Sequence, residues 1–310
     1  MMNKVKVLGL FVAVILSVMA CEGSKTESST GDVAREVDLT GNDYLITIKT
    51  NLGEMKAVLY DETPQHKANF LKLVNEGFYD SLLFHRVIQG FMIQGGDPNS
   101  KGAERGARLG NGGPGYTVPA EINPEFYHKK GALSAARQAD EINPERASSG
   151  SQFYIVQGQV LNDASISQFS GTNFQAVGSA VQYLMNALPD HDLNRIYREA
   201  YEQGGDKAYE EKIMSTLDQL EEATGIKVKS PEMTANKKET YQTIGGAPFL
   251  DGAYTVFGQV IDGLDVLDKI AGTQTGPGDR PVEDVVMTVT VEEMPKQEIA
   301  EKYGYDFIIQ

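Results

Sequence analysis

Two segments near the start of the main body of the chain alternate apolar and polar residues. Asn51, Leu52 and Gly53 between them are typical of a tight turn. Period-two alternation on both sides of a short turn predicts a β-hairpin over about 44–59. The alternating apolar residues are Tyr44, Ile46, Ile48, Met55, Ala57 and Leu59.

Two other segments have the apolar spacing of short helices. Thr63 followed by Pro64 is typical of a helix start and Gly77 of a helix end, so a helix is predicted over 64–76. A second short helix is predicted over 263–271. The rest of the chain on both sides of residues 161–244 is rich in glycine and turn dipeptides, and its short apolar runs predict further strands.

The pattern changes between residues 161 and 244. Apolar residues recur at helical spacing over 174–222, with breaks at Pro189 and at Gly204 and Gly205. Residues 225–243 are rich in lysine and threonine and are predicted to form a loop. We therefore expect one β-rich domain over 43–295, a helical insertion within it at 161–244, and a tail at 296–310.

The first 21 residues have the pattern of a lipoprotein leader. Lys4 and Lys6 precede an apolar run over 7–19, which is short for a membrane span and typical of a signal peptide. Ala20 and the single cysteine, Cys21, end this run and resemble a bacterial lipobox, in which the cysteine is lipidated. The alternatives are an ordinary secretory signal with a chance cysteine and a cysteine buried in the core.

The leader and the segment that follows it predict the cellular location of the protein and its attachment to the membrane. Residues 21–42 have too few apolar side chains to pack and are predicted to form a flexible tether. After removal of the leader, 1–20, a lipid on Cys21 would be the only membrane contact, and the protein would lie in the bacterial cell envelope. Glu22 does not resemble the usual inner-membrane retention signal, which favours the outer membrane.

Composition and charge exclude several classes of function. The chain of 310 residues has 28 Lys and Arg against 43 Asp and Glu, a net charge of −15, so it repels phosphate backbones and no nucleic-acid partner is expected. One cysteine cannot form an intrachain disulfide, and the four histidines lack metal-ligand spacing. We therefore expect no metal and no cofactor. No pattern indicates an oligomer, so a monomer is expected.

Four ordered blocks of sequence lie outside the insertion. They are 84–97 (FHRVIQGFMIQGGD), 131–136 (GALSAA), 150–155 (GSQFYI) and 249–258 (FLDGAYTVFG). The blocks resemble those of the cyclophilin-type peptidyl-prolyl isomerases, with Ala135 in place of a usual methionine. The resemblance implies a mainly β fold, a closed eight-stranded antiparallel barrel capped by two helices, here with an inserted helical segment. It also implies a peptidyl-prolyl cis-trans isomerase that needs no cofactor.

The resemblance implies that Arg86 and Gln94 are the catalytic residues. Rotation about an X–Pro amide has a barrier of about 18–20 kcal/mol, because resonance keeps the bond planar. When the amide twists, the prolyl nitrogen becomes pyramidal, and a fixed guanidinium can bind this state better than the planar one. Arg86 would supply that guanidinium and Gln94 would orient it. Arginine does not readily lose its proton, so this is electrostatic rather than acid–base catalysis.

The resemblance also implies a substrate-binding set around an apolar proline pocket. Three of its members depart from the family pattern. Tyr154 replaces a phenylalanine, Phe249 replaces the tryptophan associated with tight cyclosporin binding, and Tyr254 replaces a frequent histidine. The implied binding residues are Phe91, Met92, Ala136, Arg137, Gln152, Tyr154, Phe249, Leu250 and Tyr254.

Other candidate residues have simpler interpretations. His85 has no nucleophile paired with it in the sequence and is expected to pack rather than act as a base. The glycine-rich stretch 110–115 lacks the Lys-Ser/Thr of a phosphate loop, so a plain loop is predicted. Ser134, Ser148 and Ser149 lack the context of a hydrolase nucleophile.

The sequence is compatible with two functions. The first is an active isomerase that acts on proline-containing segments of exported proteins. The alternative is a non-catalytic module that binds such segments or acts as a chaperone, with the insertion as its docking element. The insertion could equally pack its apolar stripes on itself or on the barrel. It follows the strand of Tyr154 and ends before Phe249, so we expect it to border or partly cover the substrate channel.

Overall fold

The computed structural model describes residues 39–307. The predicted leader, Cys21 and nearly all of the predicted tether lie outside the described residues. The described chain contains thirteen strands. They are β1 (Asn42–Thr50), β2 (Gly53–Leu59), β3 (Leu82–Leu83), β4 (Arg86–Ile88), β5 (Met92–Gly95), β6 (Thr117–Val118), β7 (Ala132–Ala135), β8 (Ser148–Ser149), β9 (Phe153–Val156), β10 (Gly171–Thr172), β11 (Lys229–Ser230), β12 (Val256–Asp262) and β13 (Val286–Pro295).

Eight α-helices lie between and after these strands in the same part of the chain. They are α1 (Pro64–Asn75), α2 (Asp163–Ile166), α3 (Phe174–Ala187), α4 (Asp192–Ser215), α5 (Leu217–Thr224), α6 (Ala235–Thr243), α7 (Leu264–Ala271) and α8 (Lys296–Tyr303). No helix within residues 39–307 combines the length and the apolarity that a membrane crossing needs.

Nine strands form one antiparallel sheet in the order β3-β13-β1-β2-β12-β7-β9-β5-β4. The predicted hairpin is confirmed, because β1 and β2 pair with Thr50 opposite Gly53. Strand β13 pairs with β1 along its whole length, from Asn42 opposite Pro295 to Thr50 opposite Met287. The first and last strands of the described chain are therefore neighbours in the sheet.

The expected closed eight-stranded barrel is found only in part. The sheet has nine strands and two ends, β3 and β4, and these ends are not paired with each other within the described residues. Only Phe84 and His85 separate the two strands, so both ends lie close together. At this point the chain changes partner, because Phe84 bonds to Val285 beside β13 whereas Arg86 pairs with Gln94 of β5. The result is a strongly curled, open half-barrel.

The two predicted helices are present as α1 and α7, and both pack on the main core. Phe70 of α1 lies 5.1 Å from Tyr79 and 5.6 Å from Phe153, measured between ring centroids. Leu267 and Ile270 of α7 are fully buried in the same cluster. The covered sheet thus holds its strands, including β4 and β5, at fixed positions.

The start of α1 differs in detail from the prediction. Thr63 is the N-cap residue, but its side chain makes no capping hydrogen bond. The carboxylate of Glu121 instead accepts hydrogen bonds from the backbone N–H groups of Gln65 (3.0 Å) and His66 (2.9 Å). A distant residue therefore does what the sequence assigned to a local one.

The insertion has an apolar core of its own. Helices α3, α4 and α5 of the insertion pack most of their apolar stripes on each other, although Met185 of α3 stays exposed. The predicted break at Gly204 and Gly205 is a kink inside α4, where Gly205 has φ +66°. The buried residues of this core are Val177, Ala180, Leu184, Leu193, Tyr197, Ile213, Leu217, Leu220 and Val228.

The prediction of a loop over 225–243 is wrong for its second half, which is helix α6. The Thr234 hydroxyl accepts a hydrogen bond from the Lys237 backbone N–H at 3.3 Å and so caps this helix. Only Tyr241 of α6 is buried. One buried position gives no apolar periodicity, which is why the pattern did not indicate a helix.

The described part of the tail packs on the sheet. Ile299 of α8 is fully buried with Leu45 and Val58. Tyr305 and Phe307 pack against the same cluster, with ring centroids 4.9 Å apart. Leu45 lies next to Ile46 in β1 and therefore faces the other side of the sheet, so the tail covers the face opposite the main core.

Candidate active site

Arg86 and Gln94 lie directly opposite each other on β4 and β5. Residues opposite each other in an antiparallel pair point to the same face of the sheet, so the register alone brings these two side chains together. Nη1 of Arg86 donates a long hydrogen bond of 3.5 Å to Oε1 of Gln94.

A chain of amide hydrogen bonds holds Gln94 in turn. Nε2 of Gln94 donates to Oε1 of Gln152 at 3.0 Å. Nε2 of Gln152 donates to the carbonyl oxygens of Gly110 (3.0 Å) and Gly112 (2.7 Å). The carboxylate of Asp97 accepts a hydrogen bond from the Gly112 N–H at 3.2 Å. The glycine-rich loop is therefore fixed beside the guanidinium.

Asp279 is a second partner of Arg86. Its Oδ2 lies 3.4 Å from Nε of Arg86, and it occupies a turn with φ +60°. The Arg86 and Asp279 side chains are 43% and 48% exposed, so water screens their attraction. Nη2 of Arg86 makes no hydrogen bond within the described part of the chain. Nη2 is thus available as a hydrogen-bond donor.

These groups border a cavity of about 330 Å³. Nine predicted site residues line the cavity: Arg86, Phe91, Met92, Gln94, Ala136, Arg137, Tyr154, Leu250 and Tyr254. Two predicted site residues, Gln152 and Phe249, do not line it. Gln152 lies behind the lining and bonds to Gln94, which does line the cavity. The remaining lining residues are His85, Leu109, Gly110, Asn111 and Gly278.

The apolar wall of the cavity belongs to a cluster separate from the main core. Met92, Tyr154 and Leu250 are buried in this cluster, and Phe91 and Ala136 pack against it. Without the family resemblance these residues would have been assigned to one barrel core. The separate cluster instead gives a concave apolar wall beside a charged group, which is typical of a ligand site.

Phe249 lies at the rim between the cavity and the insertion. It is 55% exposed, and its ring centroid lies 5.2 Å from that of Phe91 and 6.4 Å from that of Phe169. The cavity lining includes no described residue of the insertion. The insertion therefore borders the site at Phe169 and does not cover it.

Arg137, which also lines the cavity, is held by contacts within the protein. Its guanidinium carbon lies 4.4 Å from the ring centroid of Tyr254. Nε donates to the carbonyl oxygen of Ala253 at 2.9 Å, and Nη1 lies 2.6 Å from Oδ1 of Asp140. With these partners and 5% exposure, Arg137 shapes the rim and is less available to a substrate than Arg86.

A buried hydrogen-bond network holds the hydroxyl of Tyr154. This hydroxyl lies 2.9 Å from Nε2 of His128, and Nδ1 of His128 lies 3.0 Å from Oδ1 of Asp251. Burial lowers the pKa of His128 from its usual 6.5, although Asp251 opposes the shift, so the ring is neutral at pH 7. Nδ1 then donates to Asp251, and Nε2 accepts from Tyr154. Burial raises the pKa of Tyr154, which keeps its proton.

His85 lies next to Arg86 and is 3% exposed. Neither of its ring nitrogens has a hydrogen-bond partner within residues 39–307. Burial lowers its pKa, so the ring is neutral at pH 7. In the same residues no three His, Asp, Glu or Cys side chains gather as a metal ion would require.

Sequence reasoning missed three parts of the site. Asp279 lies 193 positions from Arg86, and no local pattern links them. The loop residues Leu109 and Asn111 line the cavity because Gln152 and Asp97 hold the neighbouring glycines, Gly110 and Gly112, by hydrogen bonds. A clue to His128 was present, because a tyrosine in place of phenylalanine at position 154 puts a hydroxyl in a buried wall, where it needs a partner.

Comparison with known proteins identifies a family for the chain. A family model described as cyclophilin type peptidyl-prolyl cis-trans isomerase/CLD matches residues 45–188 and 190–292, more than half of the chain. Two similar relatives are named "putative peptidyl-prolyl cis-trans isomerase". That of Staphylococcus epidermidis is 30% identical over 258 residues, 83% of this chain and 95% of the relative. That of Staphylococcus saprophyticus is 29% identical over 251 residues, 81% and 92% of the two chains.

Two further matches differ in extent. A Streptococcus pyogenes relative named "putative bifunctional phosphatase/peptidyl-prolyl cis-trans isomerase" is 34% identical over 245 residues. That match covers 78% of this chain, which spans only 37% of the relative's length. A solved cyclophilin type peptidyl-prolyl cis-trans isomerase of Cryptosporidium parvum, in the presence of the dipeptide Ala-Pro, aligns with a TM-score of 0.44 and 21% identity. The alignment covers 80% of this chain and 98% of that one.

Proposed function

The chain belongs to the cyclophilin-type peptidyl-prolyl cis-trans isomerases, and we propose that it accelerates X–Pro rotation by holding the twisted amide against Arg86. Family membership, inferred from the four sequence blocks, is confirmed, and with it the enzyme class. The roles of single residues rest on one observation. Among the described residues, Nη2 of Arg86 has no hydrogen-bond partner and lies at a cavity with an apolar wall, while the other two nitrogens contact Gln94 and Asp279.

In this mechanism the prolyl ring packs on the wall formed by Met92, Tyr154 and Leu250. Nη2 of Arg86 then donates to the prolyl nitrogen as the amide twists and the nitrogen lone pair becomes available. A preorganised donor of this kind is worth about 2.7–4 kcal/mol in other enzymes. The rotation barrier is about 18–20 kcal/mol, so this donor alone would lower only a fraction of it. Transfer of the amide from water to the apolar wall would lower the barrier further.

Gln94 and Gln152 would act by keeping the guanidinium in place. Without the bond to Gln94, Arg86 could turn towards the carboxylate of Asp279, which lies 3.4 Å from Nε. The chain of bonds from Gln94 to the fixed loop opposes that movement before a substrate arrives. A group that is already oriented costs less to reorganise in the transition state.

The substrates would be proline-containing segments of exported proteins. This proposal is supported by the sequence of 1–21 alone, where Cys21 would carry a lipid in the cell envelope. Replacing Cys21 by serine should move the protein from the membrane fraction to the soluble fraction. If the Cys21→Ser protein stayed with the membrane fraction at the wild-type level, anchoring through this residue would be wrong.

The experiment for the catalytic role measures prolyl isomerisation of a short Ala-Pro peptide by magnetisation exchange, with and without Arg86→Ala. Acceleration by the wild type and its loss in the variant would support the proposed role of Arg86. The second candidate is a non-catalytic module that binds Pro segments in the same cavity. It would give peptide binding without acceleration. The free Nη2 favours the enzyme, since binding alone needs no donor at the prolyl nitrogen.

A further inference from the structure

Helix α6 of the insertion is joined to the wall of the cavity by hydrogen bonds. The Tyr241 hydroxyl donates to Oδ2 of Asp251 at 2.7 Å, and Nζ of Lys237 lies 2.7 Å from the same oxygen. The other carboxylate oxygen, Oδ1, accepts from the backbone N–H of His128 (2.9 Å) and contacts its Nδ1. His128 holds Tyr154, so a continuous path of side chains runs from α6 to the cavity.

We propose that Lys237 and Tyr241 are positioning residues for the proline pocket, and that they act through Asp251 and His128 on Tyr154. The inference rests on the proposed use of this cavity for proline. It assigns the insertion a part in substrate binding without any contact between the insertion and the substrate.

The direction of each hydrogen bond along the path is fixed. Lys237 and Tyr241 only donate to the carboxylate of Asp251. Neutral His128 donates from Nδ1 and accepts at Nε2, so the hydroxyl of Tyr154 must donate. Tyr241 and His128 are fully buried, and water cannot readily replace a lost partner there. Loss of a donor on α6 would leave Asp251 short of partners and would loosen the hold on His128.

The segment just after the insertion packs against the same path of side chains. Gly246 pairs with Lys129 and with Gln159, which lies two residues before the insertion. A Cβ at Gly246 would overlap both the carbonyl oxygen of His128 and the ring of Tyr241. The exit of the insertion therefore packs tightly between Tyr241, at the start of the path, and His128.

The test compares Tyr241→Phe with wild type in the full protein, using KM and kcat for an Ala-Pro peptide. We expect KM to rise about three- to tenfold, the range of one net hydrogen bond, with kcat within about twofold. Lys237→Met should shift KM in the same direction and serves as a second variant if Tyr241→Phe does not fold. Tyr201→Phe, at an exposed tyrosine of α4, is the matched control and should change neither constant.

A double-mutant cycle with Tyr154→Phe separates positioning from a merely structural role. If the path transmits the effect, Tyr241→Phe should add nothing once the hydroxyl of Tyr154 is gone, and the ¹⁵N shifts of His128 should change in the single variant. An unchanged KM in folded Tyr241→Phe, or an equal rise in both backgrounds, would overturn the inference. A wild type that neither binds nor isomerises the peptide would overturn the proposed function itself, and this inference with it.

Discussion

Replacing Arg86 by alanine should separate activity from stability. The side chain makes two protein contacts, at 3.5 Å to Gln94 and 3.4 Å to Asp279, and it is 43% exposed. Contacts of this kind contribute about 0–1 kcal/mol to folding, because water competes for both partners. The fold should therefore tolerate the change with little loss in Tm.

The effect on catalysis should be much larger. The Arg86→Ala variant loses the donor at the prolyl nitrogen, and loss of one preorganised donor costs about 2.7–4 kcal/mol, or about 10²–10³ in rate. Arg86→Lys keeps the charge but has one nitrogen where arginine has three. It cannot contact Gln94, Asp279 and a substrate at once, so an intermediate loss is expected.

Magnetisation exchange on an Ala-Pro peptide measures this rate without a coupling protease. Arg195→Ala is a suitable control, since it removes the same charge from an exposed position on α4. A folded Arg86→Ala protein that kept more than a third of the wild-type kcat/KM would refute the electrostatic role. Equal losses in Arg86→Ala and Arg195→Ala would point to net charge rather than to position.

Three further predictions follow from the geometry. Phe249→Ala should raise KM about two- to tenfold at constant kcat in the same assay, through loss of a rim contact; a larger change in kcat than in KM would contradict this. Glu121→Ala should lower the free energy of unfolding in urea by about 1–2 kcal/mol, because it removes the acceptor at the start of α1, and an unchanged midpoint would contradict it. Thermal scans should show that Tm falls as the pH drops below 6.5. Burial lowers the pKa of three histidines in the folded protein, so the unfolded chain binds protons at a higher pH and is favoured as the pH falls. Equal Tm values at pH 7.5 and 5.5 would contradict this prediction. These histidines are His66, His85 and His128.

Local patterns predicted the elements that have a strong apolar period. The hairpin of β1 and β2, both covering helices and the stripes of the insertion follow from alternation or helical spacing. Helix α6 did not, because Tyr241 is its one buried residue. The open edge of the sheet was also beyond local patterns, since it depends on where the chain at Phe84 and His85 changes its partner strand.

The candidate site also has a part that the sequence predicts and a part that it does not. Arg86 and Gln94 are close together in sequence and share a strand pair, so motif and structure bring the same residues together. Asp279 and Asp251 reach the site from distant parts of the chain. Their places are set by a turn with positive φ and by hydrogen bonds to His128, and neither leaves a periodic pattern in the sequence.

The pairing of β1 with β13 also orders the steps of folding. Every residue of β1 pairs with one more than 230 positions later, whereas the core of the insertion lies within 177–228. Contacts between near positions form sooner than those that close long loops. During synthesis from the N-terminus, the insertion can therefore fold while the edge of β1 that pairs with β13 is still unpaired. Any truncation before β13 removes one of the two strands that pair with β1, so the sheet that holds Arg86 is finished only once residues 286–295 have been made.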